Sequence, residues 1–260
     1  MLLRNKTAII YGAAGSIGAA TARIFAREGA SLFLAGRTMA GVQALAQEIT
    51  AAGGKAVSHA VDATDDVAVE RHVRAVVAEA GSVDVLFNAI GMDDVQGPLL
   101  IDLPFDDFAK PILKAAKSQF TTGCAVARQM AGQGSGVLMT ITAGPPEATP
   151  NIGGFGPACQ LIEGLWRGLA AEMAPHGVRV VCLRSAGSPD STDFQEMVRQ
   201  HTEASGQTRE DFLAGLGSST LLGRLPSVTE VAEMAALMAS DRASALTNVF
   251  LSVACGFAAD

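Results

Sequence analysis

Short apolar runs alternate with amphipathic stretches along nearly the whole chain. Strands are predicted at TAIIY (7–11), ASLFLAG (30–36), KAVSHAV (55–61), VDVLFNA (83–89), GVLMTIT (136–142), VRVVCLR (178–184) and NVFLSV (248–253). Between them, apolar positions recur at helical spacing over 16–29, 39–52, 65–80, 105–132, 156–175 and 228–239. Strands apolar on both faces must be covered on both faces, which means a parallel sheet with helices above and below. Right-handed crossovers then give a doubly wound sheet. The expected fold is α/β: a single-domain, doubly wound (Rossmann) seven-stranded parallel sheet spanning residues 1–260. The stretch 185–227 is polar, carries two short helical patterns and is too long for an ordinary connection. It reads as a lid over a binding site.

Composition narrows the function classes. The formal net charge is −7, and no Lys/Arg cluster longer than a pair occurs, so a nucleic-acid partner is not expected. No apolar run approaches the roughly 18 residues of a membrane span. MLLRNKTAIIY enters a strand almost at once, leaving no room for a secretory leader, so the predicted location is the cytoplasm. Cysteines 124, 159, 182 and 255 lack metal-ligand spacing, and no metal is expected. Cys159 has no neighbouring cation to activate it, and Cys182 lies within a strand; both read as small buried hydrophobes.

The first strand runs into YGAAGSIG (11–18) and then a helix. Gly12, Gly15 and Gly18 at this junction permit a tight turn and let backbone N–H groups approach a pyrophosphate, with Ser16 and Ile17 between them. The second strand ends in Gly36-Arg37, where an NAD site would carry an acidic residue for the ribose 2′-OH. A guanidinium pairs with a 2′-phosphate instead, so NADP(H) is expected over NAD(H). Asp62 and Ala63 follow the third strand, with Asp62 placed to accept from the adenine amino group. Asn88, Ala89, Ile90 and Gly91 end the fourth, with Asn88 bracing the sheet and the small residues leaving space for the adenosine. Asp93 and Asp94 border the same region.

At these residues the chain resembles the short-chain dehydrogenase/reductase family. YGAAGSIG is similar to its glycine motif, VDAT and NAIG to its third- and fourth-strand motifs, and residues 221–256 to its C-terminal segment. The resemblance implies a nicotinamide-dependent oxidoreductase whose Ser, Tyr and Lys, with an Asn on the long helix, form a proton relay. Matched by motif, those positions fall on Ala143, Gly156, Gln160 and Ala115. The absence does not depend on register, because the only tyrosine is Tyr11 and the last lysine is Lys117. The family's Pro-Gly turn is likewise replaced by Ser185-Ala186-Gly187.

Candidates to act instead are Thr142, as a donor to a carbonyl oxygen, and Gln160, as a neutral partner for ribose hydroxyls. Thr140, Glu147, Asn151, Arg184, Ser185 and Asp190 surround the same inferred pocket. One reading is an NADP(H)-dependent oxidoreductase with a non-standard site, acting on a small apolar carbonyl, imine or activated alkene. The alternative is an inactive nucleotide- or ligand-binding relative serving as sensor or scaffold; redox-neutral chemistry has less support, since no acid–base pair stands out. The lid's Phe194, Met197, Phe212 and Leu213 suggest an apolar ligand, although amphipathic lid helices would carry the same residues. A homo-oligomer, dimer or tetramer, is expected from the long helix after the fourth strand and from Leu161, Ile162, Leu165, Trp166 and Leu169 on the helix after the fifth.

Overall fold

The computed structural model describes residues 1–143 and 149–257. Seven strands form one sheet: β1 (Thr7–Tyr11), β2 (Ser31–Gly36), β3 (Lys55–Ala60), β4 (Val85–Asn88), β5 (Gly136–Ala143), β6 (Val178–Ser185) and β7 (Val249–Val253). Their order is β3-β2-β1-β4-β5-β6-β7, every pair parallel. The helices are α1 (Ser16–Arg27), α2 (Met39–Ala51), α3 (Asp66–Ala80), α4 (Phe105–Gln133), α5 (Phe155–Met173), α6 (Thr192–Ser205), α7 (Arg209–Ser218) and α8 (Val228–Ala239). The doubly wound sheet expected from the apolar strands is therefore present. The stretch expected to act as a lid folds into α6 and α7.

The five inner strands, β2, β1, β4, β5 and β6, divide their side chains between two cores. Ala8 and Ile10 of β1, with Val137 and Met139 of β5, meet α1, α2 and α8. Ile9 and Tyr11, with Leu138, meet α3, α4 and α5. This alternation is the period of two that a pleated strand imposes. It also fixes which polar residues at the strand ends face which helices.

Local signals set several boundaries. Asp65 accepts from the Ala68 N–H at the start of α3, and Gly81 ends that helix in the left-handed region. Ser227 and Glu230 form a reciprocal capping box on α8. By contrast, α1 begins at Gly15 with no side-chain cap. Its first turn therefore presents backbone donors toward the carboxyl edge of the sheet, at the β1/β4 switch point where doubly wound folds place their crevice.

The lid helices pack on their own small core. Phe194, Val198 and Leu225 are buried there, with Met197, Phe212 and Leu213 against them. These apolar side chains are accounted for by lid packing and do not by themselves indicate an apolar ligand.

Candidate functional site

The glycine turn is dictated by close backbone approach. Gly12 sits at φ +75°, and a Cβ there would lie 2.5 Å from the Ala89 carbonyl oxygen. A Cβ on Gly18 would stand 2.3 Å from the Gly12 oxygen, so the turn and α1 pack without room for a side chain. Gly15 is different: its nearest such neighbour is 3.4 Å away, and it faces a cleft of about 340 Å³. That cleft brings together Gly12, Gly15, Arg37, Asp62, Ala63, Ala89, Ile90 and Gly91 from four loops at the carboxyl ends of β1 to β4. These are eight of the residues that the motifs single out.

The other four lie elsewhere. Gly18 packs beneath the turn, and Ile17 packs on the α1-side core. Ser16 faces a neighbouring cavity, where its hydroxyl accepts from the Thr192 N–H at 3.0 Å and so ties the lid to the glycine turn. Asn88 is fully buried and braces the structure. Its Nδ2 donates to Thr122 at 2.7 Å, and its Oδ1 accepts from the Ile90 N–H and from Gln119 Nε2. Gln119 Oε1 in turn accepts from Thr140 and from Trp166 Nε1, so one buried network joins β4, α4, β5 and α5.

Asp62 accepts from both the N–H and the hydroxyl of Thr64, which holds its carboxyl below the usual range. Sequence reasoning missed two charged side chains in the cleft, Lys114 of α4 and Asp193 of α6. Lys114 donates to Asp93 Oδ2 at 2.5 Å. Burial, then the Asp94 and Asp93 charges, push the Asp193 carboxyl up. A lysine two turns inside an amphipathic helix gives no local signal that it faces a cleft.

The candidate catalytic residues are not brought together. Thr142 is buried and donates to Glu163 Oε1 at 3.2 Å, with Cys182 Sγ at 3.5 Å. Gln160 is exposed on α5. Arg184 is buried and donates twice to Glu163, and Asp190 accepts from the Val228 N–H. Asn151 holds a loop by donating to the Gly97 carbonyl at 2.6 Å. Thr140 belongs to the Asn88 network, Ser185 is buried at the end of β6, and Glu147 lies outside the described residues. Burial pushes the thiols of Cys159 and Cys182 up to about 12, which leaves both protonated at neutral pH.

The glycine-rich stretch before α5 has a packing explanation. A Cβ on Gly154 would fall 1.9 Å from the Phe108 carbonyl oxygen of α4. At Gly156, inside α5 where the family resemblance would place the tyrosine, a Cβ would meet only the flexible end of Ile152, 2.8 Å from its Cδ1, so packing does not by itself demand glycine there. Tyr11 borders the cleft, but its hydroxyl pairs with His72 Nδ1 at 2.9 Å, buried between β1 and α3.

Among the described residues no helix is long and apolar enough to cross a membrane, and no cluster of His, Cys, Asp or Glu has metal-binding geometry.

Comparison with known proteins agrees with this architecture. Residues 12–258 match the family described as enoyl-(acyl carrier protein) reductase. The chain belongs to the short-chain dehydrogenase/reductase family. It is 31% identical over 258 residues to an A-factor type gamma-butyrolactone 1′-reductase of Streptomyces virginiae, covering 98% of this chain and 96% of that one. It is 30% identical over 263 residues to a 3-oxoacyl-acyl-carrier-protein reductase of Chlamydia trachomatis, covering 99% of each. Among solved structures, an NAD+-bound xylitol dehydrogenase superposes with a TM-score of 0.92 at 25% identity, covering 97% of this chain and 99% of that one. By family the chain is an oxidoreductase, and structural neighbours such as the xylitol dehydrogenase hold a nicotinamide cofactor.

Proposed function

We propose that this chain is an NADP(H)-dependent reductase that works without the Tyr/Lys proton relay, on a small carbonyl, imine or activated alkene. The observation that carries the NADP(H) preference is Arg37 in the cleft at the end of β2, in the place where an acidic residue would favour NAD(H). The residues fit a dinucleotide. The cradle at Gly15 is open, the start of α1 lacks a side-chain cap, and the cleft lies at the β1/β4 switch point.

When bound, the cofactor supplies a hydride. The residues that would hold it are Gly12, Gly15 and the first turn of α1 at the pyrophosphate, Arg37 at the 2′-phosphate, and Asp62, Ala63 and Ile90 around the adenine. Asn88 acts behind them: it fixes the Ile90 N–H and thereby the floor of the cleft. Thr142 is retained as a candidate donor and Gln160 as a candidate ribose contact, although the first is engaged by Glu163 and the second is exposed. Loss of a positioned acid costs about a hundredfold to ten-thousandfold in rate. Imines tolerate that cost because they can be protonated in solution, so that hydride addition to the iminium gives a neutral amine, and activated alkenes because hydride addition gives a delocalised enolate that water protonates afterwards.

Calorimetric titration with NADPH and NADH tests the reading. Tighter NADPH binding, abolished selectively by Arg37→Ala, supports it; a subsequent substrate screen should find imines or activated alkenes reduced faster than simple ketones. Equal binding of the two cofactors, or no binding of either, removes the NADP(H) assignment. Binding without turnover across the screen would favour the sensor or scaffold reading.

A further inference from the structure

Arg37 does not face the cleft alone. Asp93 Oδ2 lies 2.5 Å from Lys114 Nζ and 4.0 Å from a terminal nitrogen of Arg37, so one carboxylate spans two cations carried by different layers of the fold. Asp93 adopts φ +56°, a left-handed conformation that suits Asp and Asn better than most residues. Burial pushes this carboxyl up, but the bond from Lys114 and the charges of Lys114, Arg37 and Lys110 outweigh it and hold the group below its ordinary range. All three side chains of the cluster line the same cleft as Gly15 and Asp62.

The charges in this cleft pose a problem for an anionic ligand. It holds two cations, Arg37 and Lys114, against three carboxylates, Asp62, Asp93 and Asp193. A phosphate entering it meets a net negative lining unless one carboxylate gives way.

We infer that Asp93 is a built-in surrogate for the cofactor's 2′-phosphate, neutralising Arg37 and Lys114 until that phosphate displaces it, and that Lys114 is a second determinant of NADP(H) selectivity beside Arg37. The inference rests on the NADP(H) reading above and deepens it. A phosphomonoester carries about −1.5 to −2 charges near pH 7, against −1 for a carboxylate, so the exchange favours the phosphate over the surrogate. A ligand with only a 2′-hydroxyl cannot replace the lost ion pair, and Asp93 then stays in place. The arrangement thus strengthens discrimination by penalising the ligand that lacks the phosphate.

Adenosine 2′,5′-bisphosphate and 5′-ADP are the probes, because they isolate the adenosine end from the chemistry. Their dissociation constants are measured calorimetrically on the full-length wild type, Asp93→Asn and Lys114→Met. Asparagine keeps the left-handed backbone and the shape while removing the charge. The expected result is that Asp93→Asn tightens the bisphosphate about fivefold with little change for 5′-ADP, and that Lys114→Met weakens the bisphosphate about tenfold. If the wild type prefers the bisphosphate but neither variant changes the ratio, the surrogate is overturned and Arg37 alone carries the preference. Should Asp93→Asn weaken 5′-ADP instead, Asp93 is a ribose ligand and the inference fails. No wild-type preference for the bisphosphate overturns the NADP(H) reading and this inference together.

Discussion

Glu163 of α5 receives two guanidinium nitrogens of Arg184 from β6, at 2.8 and 2.7 Å, with both side chains buried. The same carboxylate accepts from Thr142 and lies 3.6 Å from Arg167, and both arginines stand over the Phe250 ring. Removing one member strands a charge in a poorly solvated site. Glu163→Ala should therefore destabilise the chain by about 3–5 kcal/mol, whereas the double replacement Glu163→Met with Arg184→Leu should cost less than the single change. Urea unfolding of the two variants checks this; equal losses would show that the pair is solvated.

The only tyrosine provides a clean optical test. Burial pushes the Tyr11 phenol well above its ordinary value, and its hydroxyl pairs with His72. Absorbance at 295 nm should show no tyrosinate between about pH 9 and 11 while the chain remains folded, although a free phenol titrates near pH 10. A normal titration step would show that the phenol is solvent-accessible and not sealed against His72.

His72 links stability to pH. Burial, followed by the neighbouring His59 charge, lowers its pKa from 6.5 to about 3. Between these values the unfolded chain binds a proton that the folded chain refuses. Stability contributed by neutral His72 is complete above about pH 6.5 and is lost as the pH falls toward 3, with a slope of up to about 1.4 kcal/mol per pH unit. Denaturant melts from pH 4.5 to 7.5 should show a shallower slope for His72→Gln than for the wild type; parallel slopes would exclude the linkage.

Assembly is expected to use α4. Ile162, Trp166 and Leu169, read from the sequence as interface residues on α5, are buried within the chain, while Leu113 and Phe120 of α4 are exposed. Leu161 and Leu165 of α5 are half-buried, and of the two helices α4 carries the more exposed apolar side chains. Sedimentation should find the wild type as a dimer or tetramer and Leu113→Glu with Phe120→Glu as a smaller species. An unchanged assembly, or a monomeric wild type, would exclude this face as the interface.

The fold was legible because its signals are local and agree with one another. Apolar runs bounded by Gly or Asp mark the strands, and the capping box at Ser227 starts α8 at the residue that periodicity predicts. Eight motif residues converge on the cleft for the same reason: strand ends in a parallel sheet meet at one edge.

What remained hidden depends on pairing between distant elements. Thr142 reads as a free donor until the β5–β6 register sets it beside Arg184 and strand alternation turns it toward α5. A signal existed, in the charges of Glu163 and Arg184 within otherwise apolar segments, since a buried charge requires a partner. Lys114 and Asp93 are 21 residues apart, and only the fold of the α4 entry loop brings them together.

Trp166 is the chain's single tryptophan, and its indole N–H is held by Gln119, which also contacts Asn88 beneath Ile90. The molecule thus carries an intrinsic fluorophore wired to the floor of its cleft. Events there that disturb the network should register in its emission with no label attached, and the indole can report on occupancy before any substrate has been found.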